Sequence, residues 1–327
     1  MKIETKFTKM FGIEKPIIQG GMQHIGVPAF ASLFSNAGGM GTINITCYKS
    51  PEEFADAVAE MNELTDKPWI VNISLAPDLT KGDEIFKYID VCARGKVAAI
   101  EFAAASPEMF MPACKEAGIK IIHKSPNAHV AKRMEEKGAD VVTIAGYEVA
   151  GHPSRDGIGT FVIANKVASI CSCPVMAAGG VADGRGLAAA LALGASGVVV
   201  GTRFVATTEC PISYNHKKWI VDHSERDTVL IQQSINNMMR VADNTAAKLT
   251  QEMEKRGTTL QELMSVISGK RSKEGYADGN VDGSIYAVGP VIGLINSMED
   301  IKPVAQVMDE MVDDAYAIIQ SLKQSFS

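Results

Sequence analysis

No stretch of this chain is long and apolar enough to suggest a membrane span. The longest uncharged run, Gly186 to Thr202, is broken by Gly194, Gly197 and Gly201, and it predicts a helix end followed by a strand. Cysteine is sparse. Six residues are scattered without a disulfide rhythm, and Cys171-Ser-Cys173 is too tight for the usual zinc spacing and has no second pair. No metal site is therefore expected, and reduced thiols are. Basic residues do not dominate either: the net charge of -6 argues against nucleic acid or an anionic membrane surface as the main partner. The opening MKIETKFTKMFGIEKP has no apolar core of a signal peptide, so a cytoplasmic location is the expectation. There is no low-complexity segment. With 46% hydrophobic against 21% charged residues over 327 positions, disorder is excluded and a well-buried core is expected.

Short β-rich runs recur at even spacing, separated by stretches of helical periodicity. They are 16–19, 40–45, 69–75, 97–102, 119–123, 140–144, 174–178 and 197–200. Runs that stay apolar throughout imply strands covered on both faces of a parallel sheet. Eight βα units at roughly 25 residues each predict a (β/α)8 TIM barrel, with a doubly wound sheet as the alternative. From Glu209 to Tyr286 no convincing strand is visible. This segment predicts a helical insertion or lid (209–286) placed after the eighth strand at the barrel mouth, between barrel segments 1–208 and 287–327. The tail from Val291 to Leu322 predicts helix returning to the barrel wall.

In such a barrel the chemistry sits on the loops after the strands. Gly179-Gly180 after the seventh run and Gly201-Thr202 after the eighth offer backbone amides for a phosphate. Gly20-Gly21-Met22 after the first run would let backbone approach a flat ligand. Asn72 interrupts an apolar strand and should bond a ligand or neighbouring backbone. Lys124 ends the fifth run and is a candidate cation facing the mouth, while His123 beside it should point the other way. His152, between Gly151 and Pro153 on the sixth loop, is positioned to titrate near neutrality as an acid or base.

These residues lie in PIIQGGMQ (16–23), NAGG (36–39), IHK (122–124), GYEVAGHP (146–153), AAGGVADGRGLAAALALGA (177–195) and VGTRFVAT (200–207). Together they resemble the nitronate monooxygenase family of FMN-dependent barrels, which includes flavin enoyl-acyl-carrier-protein reductases. The resemblance covers nearly the whole chain. AGHP, IHK and GYADGNVDGSIYAVG (275–289) are most similar to its NADH:quinone reductase branch. The resemblance implies FMN as cofactor and NAD(P)H as co-substrate. Its phosphate would be held by Gly179, Gly180, Gly201 and Thr202, with Ala178 also in the cofactor site. Gly21, Met22, Asn72, Lys124, Ala150 and Gly151 would surround the flavin, and His152 would be catalytic. Gln23, Pro77 and Tyr286 would border the nicotinamide or substrate. The sequence departs from the branch at Ala104-Ala105-Ser106-Pro107, Ser154-Arg155-Asp156-Gly157 and Tyr286-Ala287-Val288-Gly289-Pro290.

The implied activity is NAD(P)H-driven reduction of FMN, then of a small quinone-like or enoyl acceptor. A nitronate monooxygenase using oxygen is the alternative, and a non-catalytic phosphate-ligand or flavin sensor is the alternative outside catalysis. An inosinate-dehydrogenase-type barrel needs a nucleophilic cysteine in the sixth loop, and residues 145–160 have none. Whether the chain forms a homodimer stays open.

Overall fold

A computed structural model describes residues 2–75 and 82–326; Pro77 lies outside the described residues. Eight strands form one parallel sheet: β1 (Ile17–Gln19), β2 (Gly41–Asn44), β3 (Trp69–Ser74), β4 (Ala99–Ala103), β5 (Lys120–Ser125), β6 (Val141–Ala145), β7 (Val175–Ala178) and β8 (Gly197–Val200). Every predicted apolar run carries one of them. Sequential strands pair from β2 to β8, and β8 returns to β1 with Ile17 opposite Val198. The seam between β1 and β2 is a single bridge, Ile18 to Met40. Side chains extend it: Gln19 Oε1 accepts the Thr42 amide at 3.0 Å, and the Thr42 hydroxyl donates back to the Gln19 carbonyl. The result is the predicted TIM-barrel-like (β/α)8 fold.

Helix boundaries follow local chemistry. The helix α1 (Lys6–Phe11) carries Phe7 into the barrel interior, where it packs among Ile18, Met40, Ile70, Ile122 and Met176 and plugs the bottom. Between strands run α2 (Pro28–Asn36), α3 (Pro51–Leu64), α4 (Gly82–Arg94), α5 (Met111–Glu116), α6 (Ala128–Lys137), α7 (Thr160–Ile170) and α8 (Gly184–Ala192). Ser50 caps α3 ahead of Pro51, Asn127 caps α6, and Gly138 ends α6 in the left-handed region. The buried apolar faces of α2, α7 and α8 meet the outside of the sheet in one cluster, and those of α3 and α4 meet it in another. No helix among the described residues is long and apolar enough to cross a membrane.

After β8 come α9 (Thr202–Val205) and the insertion: α10 (Tyr214–Asp222), β9 (Thr228–Ile231), β10 (Met239–Ala242), α11 (Thr245–Lys255), α12 (Leu260–Ile267) and α13 (Gly269–Asp278). The expectation of an insertion without strands is thus corrected. Thr228-Val229-Leu230-Ile231 and Met239-Arg240-Val241-Ala242 pair antiparallel, Thr228 opposite Ala242. Ile231 and Val241 bury themselves against Ala246, Ala247 and Val266 of α11 and α12, so tertiary packing selects strand where the neighbouring sequence favours helix. The tail is also only partly as expected. Residues 290–300 form two short 3-10 turns, and regular helix starts at α14 (Val304–Ser325), which packs on α8 and α2 to complete the barrel wall.

Two buried histidines fix an acid limit on this fold. His123, outward on β5, bonds Ser125 at 2.8 Å, and His216 on α10 bonds Ser213 at 2.9 Å. Burial holds both imidazoles down to about 4. Below about pH 6.5 the unfolded chain takes up these protons and the folded chain does not, so the stability present above that pH is lost as pH falls toward 4. The loss is about 1.4 kcal/mol per pH unit for each histidine. Thermal melts between pH 7 and 4.5 should show a falling midpoint that is shallower in His216→Phe. A midpoint with the same pH slope in both proteins would contradict this.

Candidate active site

Strand alternation sends Asn72, Glu101, Lys124 and Thr143 inward at the C-terminal end of the barrel, in phase with the interior residues Ile70, Ala99, Ile122 and Val141. Three of them join a directed hydrogen-bond chain. Thr46 donates its amide (2.9 Å) and hydroxyl (2.7 Å) to Asn44 Oδ1, and Asn44 Nδ2 donates to Asn72 Oδ1 at 3.1 Å. Asn72 Nδ2 donates to Glu101 Oε2 at 2.7 Å, and the Thr143 hydroxyl donates to Glu101 Oε1 at 3.3 Å. The sequence reading anticipated Asn72 but missed Asn44, Glu101 and Thr143. The signal for Glu101 was present, since a carboxylate inside the apolar run 97–102 is as conspicuous as an amide inside 69–75. Removing the carboxylate strands two buried donors, at about 1–3 kcal/mol each. Glu101→Leu should therefore lose about 2–5 kcal/mol, and Glu101→Gln, which keeps an acceptor, markedly less. Chemical denaturation checks this, and equal losses in both variants would refute it.

The loop after β1 closes over this network. Gly21 lies so close that a Cβ there would overlap the Asn72 carboxamide, which explains glycine at this position. Met22 beside it is half-buried and Gln23 is exposed. His24 and Cys47 stand behind, under α13. Burial raises the Cys47 thiol to about 11, so it stays protonated at neutral pH.

After β7, Gly179 and Gly180 take left-handed conformations with φ 98° and 75°. Among the described residues, the amides of Gly179, Gly180 and Gly201 have no hydrogen-bond partner. No atom lies within 4 Å of a Cβ built on Gly201, and the nearest to one on Gly180 is at 3.8 Å. Free amides beside open space at adjacent strand ends suit an anionic group such as the phosphate of FMN. Thr202 lies at the same end. Its hydroxyl oxygen accepts the Gly289 amide at 3.0 Å, leaving its proton free to donate. The helix end is different. Asp183 caps α8 by accepting the Gly186 amide at 2.9 Å, so the turn, rather than the helix N-terminus, supplies the open donors. The neighbouring Glu148 carboxylate is engaged by the Thr160 amide and hydroxyl at the start of α7.

His152 stands in the mouth with its ring partly open to solvent and protein crowded around it. Desolvation by the surrounding protein, then the Lys124 ammonium, lowers its pKa below the ordinary histidine value, with the nearby Asn237 side chain opposing the shift. Lys124 and His152 are thus near enough for their charges to interact. Gly151 is placed there too, but its amide and carbonyl are both spent on Arg240 (3.0 and 2.6 Å). Ala150 is half-buried beside Gly289, and Ala178 faces the barrel interior. Tyr286 is a correction. It is fully enclosed, its ring 4.8 Å from His216 and 5.9 Å from Trp219 and Tyr276, and its hydroxyl donates to the His216 carbonyl. It anchors the insertion and offers no surface to a substrate.

Comparison with known proteins agrees with this geometry. FabK from Thermotoga maritima superposes with a TM-score of 0.91 at 35% identity, over 99% of both chains. A probable nitronate monooxygenase from Bacillus subtilis is 33% identical, over 69% of this chain and 75% of that protein. A (3aS,4S,5R,7aS)-5-hydroxy-7a-methyl-1-oxo-octahydro-1H-indene-4-carboxyl-CoA dehydrogenase from Rhodococcus jostii is 29% identical over 98% of both. The nitronate monooxygenase family profile matches residues 4–314. With the barrel, the glycine turns and the histidine loop in place, this chain belongs to the nitronate monooxygenase family of oxidoreductases.

Proposed function

We propose that the protein is an FMN-dependent oxidoreductase that takes reducing equivalents from NAD(P)H and passes them to a small quinone-like or enoyl acceptor. The observation that carries this reading is the shared mouth. Among the described residues the amides of Gly179, Gly180 and Gly201 are unpartnered, open space lies beside Gly180 and Gly201, and Lys124 and His152 stand close enough to feel each other's charge. FMN, when bound, supplies reversible two-electron chemistry. The glycine turns and the Thr202 hydroxyl would hold its phosphate. Lys124 would offset negative charge that develops on the ring system during reduction. His152 would polarise or protonate the acceptor oxygen, its ring reaching solvent on the open side. The carboxyl-CoA group in the name of the full-length Rhodococcus relative favours an enoyl thioester among acceptors.

A second reading is supported by the lowered pKa of His152, which leaves the ring neutral and able to act as a base at pH 7. That state suits proton abstraction from a nitroalkane, and it fits the relatives named nitronate monooxygenase. Acid release and mass analysis of the flavin, then anaerobic reduction by each nicotinamide and mixing with a quinone, an enoyl thioester and oxygen, test both. Fast reoxidation by oxygen only with a nitroalkane present would favour the second reading. FAD as the major species, or no reduction by either nicotinamide, would defeat the first.

A further inference from the structure

We propose that Arg240, on strand β10 of the insertion, is a positioning residue that pins the histidine loop at two points and so fixes where His152 stands in the mouth. Its catalytic consequence rests on His152 as the proposed acid–base group. The first point is backbone. Gly151 and Arg240 form an antiparallel bridge, the Gly151 amide donating to the Arg240 carbonyl at 3.0 Å and the Arg240 amide to the Gly151 carbonyl at 2.6 Å. The second is the guanidinium. Its Nε (3.3 Å) and Nη2 (3.1 Å) both donate to the Tyr147 carbonyl, and its Cζ lies 4.9 Å from the Tyr147 ring centre. One residue of the insertion thereby holds both ends of 147–151, the segment that delivers the chain to His152.

Arg240 is itself held firmly. The residue is buried, and Nη1 donates to Thr228 Oγ1 on the paired strand β9 at 3.2 Å. A buried guanidinium is costly unless its donors find acceptors, so the Tyr147 carbonyl is not readily released. Little slack remains between the two points. The Tyr147 amide donates to the Ile158 carbonyl at 2.9 Å, and the Val149 amide to the Gly146 carbonyl at 3.2 Å. Gly151 follows at φ 70°, a left-handed turn that glycine adopts without strain. Beyond His152 comes the buried Pro153, whose ring also restricts the backbone of the residue before it. With Gly151 committed on one side and Pro153 on the other, the freedom left to His152 is mainly that of its own side-chain torsions. Displacing this loop by about 1 Å would suffice to misplace an acid–base group.

Arg240→Met keeps the side-chain stem and the backbone bridge but removes both donors to Tyr147, whereas Arg240→Lys keeps one cation of similar reach. Hydrogen exchange of single amides, read by NMR on the full-length protein, tests the pinning. In Arg240→Met the Gly151 amide should exchange about 10-fold faster or more, while that of Val198, bonded to the Pro16 carbonyl in the barrel, keeps its rate. Arg240→Lys should fall between, and it carries the test if the methionine variant does not fold. An unchanged rate at Gly151, or an equal acceleration at Val198, would overturn the proposal. A double-mutant cycle on the FMN-loaded protein then tests the link to His152. Arg240→Met should slow the acceptor half-reaction about 10–100-fold, and the double variant should be no slower than His152→Ala alone. Losses that multiply would show that Arg240 does not act through His152. If His152→Ala alone leaves that half-reaction intact, the acid–base reading of His152 fails, and the exchange rates still decide the pinning.

Discussion

Gly201→Val should bind FMN about 100-fold or more weakly than the unaltered protein while melting at the same temperature without flavin. The two halves of this expectation have separate causes. A Cβ at Gly201 would have no protein atom within 4 Å, so the apo fold has room where a side chain would start. The same space is where an anion must lie to reach the free amides of Gly180 and Gly201, and each hydrogen bond to a charged group is worth about 1.5–3 kcal/mol. Losing two gives the stated weakening. Gly180→Val should lose flavin as well, but with a backbone cost of about 1–2 kcal/mol, because valine is poorly suited to φ 75°. Flavin titration alongside circular dichroism separates the cases. Full flavin occupancy in Gly201→Val would show that this space holds no phosphate.

His152→Ala should slow the acceptor half-reaction by about 10²–10⁴-fold and leave reduction by NAD(P)H nearly unchanged. Hydride delivery from a nicotinamide needs no protein acid. Reduction of a quinone or enoyl oxygen builds charge that a fixed N–H must meet. On a neutral nitroalkane the same substitution would remove the base, whereas a preformed nitronate anion would need it far less. Rapid mixing resolves the half-reactions. A collapse of flavin reduction with reoxidation intact would reverse the assigned role.

The barrel was legible because its strands are mostly buried on both faces and so are written as largely apolar runs, from Ile17 to Val200. Gly179, Gly180, Gly201, Lys124 and His152 were legible because loops after parallel strands must meet at one end. The hairpin was not. Thr228-Val229-Leu230-Ile231 is strand-like alone, but Gln232 turns through a left-handed conformation that its residue type does not advertise, and Asn236, a type that tolerates it, does the same. Its partner across the ladder, Met239-Arg240-Val241-Ala242, reads equally well as helix. Tyr286 illustrates the opposite error. An aromatic residue near the mouth in sequence was assigned to the substrate, whereas its ring completes an enclosed cluster with His216, Trp219 and Tyr276.

The chain of bonds running from Thr46 through Asn44 and Asn72 to Glu101 has a consequence for where protons travel. Its middle links are carboxamide N–H groups, which donate hydrogen bonds yet do not release a proton near neutral pH. Thr143, the other donor to Glu101, is an ordinary hydroxyl and no better a carrier. The polar floor of the barrel is therefore an insulator rather than a wire: it can order charge beneath a bound ring system but cannot ferry hydrogen ions to it. In the proposed reaction, each proton that His152 gives up would then return from bulk water across the open rim. On that reading the acid–base step belongs to the solvent side of the mouth, and a substrate that seals the rim would limit it to one proton per visit.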